Sequence, residues 1–163
     1  MLMADSRIGV QAARRLQRLL FAAVVVILTQ ASLGMTVNLY VTIPPHHAGS
    51  KPSDYFAGSY HSVVWAIGHG AAALAAHAAL GLALIVLALG VAVHAVRLRR
   101  RAVIVWSVLG GLLVIGAGFN GASFLDFGHD SSSMIMALLA FAAIGSYTAA
   151  QFVLSRALEL VSQ

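Results

Sequence analysis

Apolar residues in this chain gather in four long blocks, separated by short polar or basic stretches. The first block runs from Leu19 to Ile43, about twenty-five residues, longer than the ~20 that cross a bilayer as a helix. Pro44, Pro45 and Pro52 end it, and the segment PPHHAGSKPSDYFAGSYHS that follows is polar, aromatic and turn-rich. A second block extends from about Val63 to Val96 and stops at the basic turn RLRRR. The third runs from Ala102 to about Asn120, with glycines at 110, 111, 116, 118 and 121 that allow close helix approach. After the segment GASFLDFGHDSSS the fourth covers Ser133–Leu154, with Ser131–Ser133 as caps and Asp130 against the positive helix start. The expectation is an all-α integral membrane protein with spans at about 19–43, 63–96, 102–120 and 133–154. Short connections make an up-down-up-down bundle the natural packing.

Composition agrees: 60% of residues are hydrophobic, 9% are charged and the mean hydropathy is +0.90, far from soluble globular domains. Charge sets the orientation. Arg7, Arg14, Arg15 and Arg18, the arginines at 97 and 99–101, and Arg156 flank apolar blocks on one side, while Lys51 stands alone on the other. By the positive-inside rule both termini are cytoplasmic in a bacterial plasma membrane. Met1–Arg18 reads as a short basic helix on the membrane surface, and the first block is too long for a cleaved signal. Tyr55, Phe56, Tyr60 and Trp65 suit the opposite interface. The net charge of +5 speaks for anionic lipid rather than nucleic acid, because the basic residues form no groove with interleaved aromatics. With no cysteine, disulfides, thiolate chemistry and covalently attached haem are excluded.

Histidine is the polar residue that stands out. From Arg97 back to His77 is twenty residues, so His77 lies ~30 Å from the arginines, near the far edge of the hydrocarbon. Asn38, Asn120 and Met134–Met136 fall at nearly the same level, and His69, Asp126 and His129 one to three turns above it. Gln30 lies near mid-depth, and it and Asn38 are expected to face neighbouring helices. The inner half of each span is nearly pure Ala, Val, Leu and Ile, which argues against a proton channel or transporter.

Two readings of His77 stand side by side. Ala73 and Gly81, one turn to either side, leave a gap where a porphyrin could lie against the helix, with the imidazole as an axial ligand. Alternatively they form a small-xxx-small seam and His77 bonds to the next helix. A haem b held without covalent bonds needs a second ligand. The pairs matched in depth are His77 with Met134 or Met136, and His69 with His129, whose bland alternative is wet interfacial imidazoles. His46, His47 and His61 with Asp126, Asp130 and His129 are candidates for an outer metal site, though their spacing fits solvated loop residues better. No HExxH, phosphate loop or nucleophile–base pair is present.

The segments ILTQASLGMTVNL, His77 before RLRRR, and VLGGLLVIGAGFNGA together resemble one four-helix half of the haem A synthase family. The resemblance implies a bundle whose second and fourth helices bracket a haem. His77 or His69 takes the first position; Ser133 or Met134 takes the second, or His129 where the helix extends outward. That family has two such halves and an outer-loop carboxylate motif, which Asp54 does not reproduce; a homodimer would supply the second half. The expected site is therefore His77, His69, His129, Met134, Gly81 and Asn120. Two functions follow: a haem b protein for electron transfer or haem handling, and an accessory membrane subunit without cofactor whose polar residues pack helices and dock partners. A synthase-type enzyme is a third.

Overall fold

A computed structural model describes residues 2–162 of the chain, with side chains from 9 to 160. Among the described residues every regular element is an α-helix: α1 Leu2–Tyr40, α2 Tyr55–His69, α3 Ala72–Arg97, α4 Arg101–Phe127 and α5 Asp130–Ser162. Four are long and apolar enough to cross a membrane: α1 from Gly9, α3, α4, and α5 to Leu160. At 15 residues, or ~22 Å, α2 is too short.

The four long helices form a ring in which α1 packs on α3 and α5, and α4 on the same two. Two-residue and three-residue turns reverse the chain at either end of α4, and Gln17 of α1 donates to Ser155 of α5 at 2.9 Å, so neighbours run antiparallel. The ends are unlike. One carries the arginine turn and is called the arginine end; the other carries the 41–54 segment and α2 and is called the loop end.

Packing follows a heptad. Buried positions are Ala13, Leu16, Leu20, Ala23 and Ile27 on α1, Leu84, Ala88, Val91 and Ala95 on α3, Val103, Ser107, Gly110 and Val114 on α4, and Ala143, Tyr147, Ala150 and Leu154 on α5. Steps of three and four recur on every helix, the spacing of a left-handed bundle seam. Small residues on α3 and α4 make room for Tyr147, whose ring lies over Gly110: a Cβ there would stand 2.6 Å from Tyr147 Cε1. Outside the seam, Phe21, Val86, Leu112, Phe141 and Phe152 are more than half exposed. Apolar surface of that extent is stable against lipid rather than water, which suits a multi-pass membrane protein.

Several expected boundaries move. The basic segment before residue 19 is continuous with α1 and packs through Ala13 and Leu16 instead of forming a separate surface helix. That helix ends at Tyr40, three residues before Ile43. The block from 63 to 96 is two helices, because the chain goes extended at Gly70 and Ala71. Instead of staying in the loop, residues 55–62 open α2, whose cap is Asp54 accepting from the Ala57 amide at 2.8 Å. The third helix continues past Asn120 to Phe127, and the fourth starts at Asp130, so the expected loop of 121–133 shrinks to Gly128 and His129. Gly128 makes that reversal at φ +70°, in the left-handed region. Ser131–Ser133 consequently belong to the first turn of α5 rather than capping it; Asp130 does lie in that turn.

Candidate functional site

The polar chemistry of the loop end falls into two clusters. The first joins α1 to α3. Gln30 donates through Nε2 to the His77 carbonyl oxygen at 2.9 Å, and the same nitrogen stands 3.4 Å from His77 Nε2. Gly34, one turn on, lies over the imidazole: a Cβ at 34 would be 3.0 Å from His77 Cε1. On α3, Gly81 leaves the space that the Gln30 amide fills, 3.1 Å from where a Cβ would sit. With Gln30 donating toward Nε2, the ring proton belongs on Nδ1, which is buried without a partner, as is Gln30 Oε1.

The gap expected beside His77 is thus occupied by α1. A porphyrin against this helix face would collide with Gly34 and the Gln30 amide, so the hydrogen-bonded seam is the arrangement found. Met134 is exposed, and Met136 packs on α4 with its sulfur 3.1 Å from a Cβ position at Gly121. Neither methionine is brought to His77, which faces α1. Asn120 is half-buried and turned back on its own helix, donating to the Gly116 oxygen at 2.9 Å. Asn38 is exposed on the wall of a cavity that the end of α4 also lines. His69 ends α2 and is exposed; His129 is exposed in the α4–α5 turn, its ring stacked with Phe127 at 6.1 Å.

The second cluster was not foreseen as a unit. α2 packs on α3 and α4, and its small buried residues Gly58 and Ser62 lie against Gly49 and Pro52 of the 41–54 segment. Its Tyr55 hydroxyl donates to the Phe119 oxygen at 2.9 Å and lies 3.1 Å from Ser123 Oγ. One turn along, Ser59 donates to Asp126 Oδ2 at 2.8 Å. Asp126 is only 2% exposed, and its Oδ1 has no hydrogen-bond partner. A carboxylate in that state is costly unless held, and Ser59 is the side chain that holds it.

The 41–54 segment closes over the same helix end. The last four carbonyls of a helix lack intrahelical partners. Here Gly128 N reaches the Phe124 oxygen at 2.8 Å, His47 Nε2 the Leu125 oxygen at 3.1 Å, and Lys51 N the Asp126 oxygen at 2.8 Å. Two of three caps therefore come from a segment about seventy-five residues earlier in the chain. His47 also stacks on Trp65 of α2, ring centroids 4.4 Å apart, so it is half-buried rather than solvated, whereas His46 and His61 are exposed. Gly49, at φ +93°, passes so near Gly58 and Ser62 that no side chain fits. Between this segment, the end of α1 and the end of α4 lies a cavity of about 320 Å³, lined by Val37, Asn38, Val41, His47, Lys51, Leu125 and Asp126 among others.

Among the described residues no three histidines or carboxylates gather as a metal site would require. No signal in the sequence marked Asp126 as buried; the pairing that could have done so, a serine one turn inside α2, is visible only once α2 is known. No family model matches the chain, and neither a curated protein nor a solved structure is significantly similar to it.

Proposed function

We propose that the chain is a multi-pass protein of a bacterial plasma membrane, with the arginine end in the cytoplasm and the loop end outside. In this reading it acts as a non-catalytic subunit whose polar residues fix helix contacts, and its partners are the lipid bilayer and other membrane subunits or a second copy. The arginine distribution supports the orientation. One observation carries the non-catalytic reading: the Gln30 amide and Gly34 occupy the surroundings of His77.

The visible absorption spectrum of protein purified from cells supplied with haem tests this. Colourless protein is expected, with no change on haemin titration. A b-type spectrum would replace this reading with the second one, haem b bound for electron transfer or haem handling. Support for that second reading is the exposure of His69 and His129 at one end, together with the likeness to half of a haem A synthase. His77 lends it none. Loss of colour in His69→Ala and His129→Ala, but not in His77→Ala, would then identify the ligands.

A further inference from the structure

His47 makes one contact more than a neutral imidazole can satisfy. Nε2 lies 3.1 Å from the Leu125 oxygen and Nδ1 lies 3.0 Å from the Ala48 oxygen. Both partners are carbonyl oxygens, which only accept. A neutral ring has one N–H; the imidazolium has two. We propose that His47 is a proton-operated clasp: as the imidazolium it donates from both nitrogens, ties the 41–54 segment to the end of α4, and lets go of one tie when it loses a proton.

Three neighbours can receive the cation. Leu125 is in the last turn of α4, where orphan carbonyls and the helix dipole attract positive charge. The Trp65 ring, stacked at 4.4 Å, offers a π-face to the cation. Asp126 of α4 lines the same cavity, with a carboxylate oxygen that lacks a partner. Against these stands Lys51 of the same segment, which also lines the cavity, while His46 precedes in sequence and is exposed. From α1 the cavity receives Asn38, which is uncharged.

The clasp has a neighbour that depends on it. Lys51 N donates to the Asp126 oxygen and His47 Nε2 meets the Leu125 oxygen, so residues 47–51 are held at both ends by α4, while Ser50 N donates to the His47 oxygen at 3.0 Å within the turn. When the Leu125 tie weakens, the Lys51 amide should open more often. Because the extra hydrogen bond belongs to the protonated folded form alone, its contribution is present when the ring carries two protons and is lost when it carries one. The pH concerned is that of whichever compartment faces the loop end.

Two measurements test the clasp. In a Trp106→Phe protein the sole tryptophan is Trp65, whose emission should titrate between about pH 5 and 9 because its stacking partner changes charge. His46→Gln and His61→Gln should leave that titration in place, and His47→Gln should remove it. In hydrogen exchange, corrected for the intrinsic pH dependence, the Lys51 amide should lose roughly tenfold protection from the acid to the alkaline limit, about the weight of one charge-assisted hydrogen bond. His47→Arg, with its donors charged at every pH, should abolish that change. No titration of Trp65 emission in the otherwise native chain overturns the proposal without any substitution at 47. A Lys51 protection profile that is flat, or that persists in His47→Gln, overturns it as well.

Discussion

The amide nitrogen of Gln30 sits 2.9 Å from the backbone oxygen of His77, fastening α1 to α3. The bond reaches a main-chain acceptor, so it depends on Gln30 far more than on the identity of residue 77. Gln30→Leu should cost about 1 kcal/mol, the usual weight of an interhelical bond. Gly81→Leu should cost more, ~1–3 kcal/mol, because it fills the space the amide needs. Thermal unfolding in detergent measures both against Val86→Leu, a change at a position 69% exposed. Gly81→Leu melting together with Val86→Leu would refute the tight seam.

At the centre of the bundle the expectation concerns Tyr147. Gly110→Ala drives a methyl group into its ring and should lower stability by ~1–3 kcal/mol. Tyr147→Phe should be neutral or slightly stabilising, because the hydroxyl it removes is buried without a partner. The two variants, melted under one set of conditions, should move in opposite directions or leave Tyr147→Phe unmoved.

Ser59 and Asp126 should behave as a coupled pair. Ser59→Ala leaves a buried carboxylate with no donor and should cost ~1–3 kcal/mol, while Asp126→Asn tolerates loss of the serine better. In a double-mutant cycle the combined variant should cost less than the sum of the single ones. Strict additivity would mean that the 2.8 Å contact contributes nothing.

Orientation is checked by labelling. Cysteine placed at Tyr55 or His129 should react with an impermeant maleimide in intact cells, and cysteine at Arg99 only after permeabilisation. The reverse pattern would invert the topology and place the His47 clasp in the cytoplasm.

Much of the bundle was legible because long apolar blocks ending in arginine leave few alternatives to spanning helices. The register of the seam was not, since in helices that are apolar all round the heptad positions differ from their neighbours only in size, as Ala88 and Gly110 illustrate. The break at Gly70 was written as Gly68 and Gly70 around His69, yet an uninterrupted apolar run outweighed it. Asp54 ahead of Tyr55 carried a readable cap signal for α2. His77 and Gly81 both border the Gln30 amide; whether a small residue leaves room for a cofactor or for a glutamine from the next helix depends on rotation about α1, which sequence spacing does not specify.

The capping of α4 by His47 and Lys51 also bears on the order of synthesis. A ribosome delivers the 41–54 segment well before the carbonyls of Leu125 and Asp126 exist. Until α4 has emerged and inserted, that segment can lie only on α2, through Gly49 and His47, and lacks both of its hydrogen bonds to the end of α4. Nascent chains halted after α3 should therefore carry a loop open to protease, and chains halted after α4 a loop that resists it. The loop end is thus closed only once α4 has been made, although residues 41–69 precede α4 in the chain.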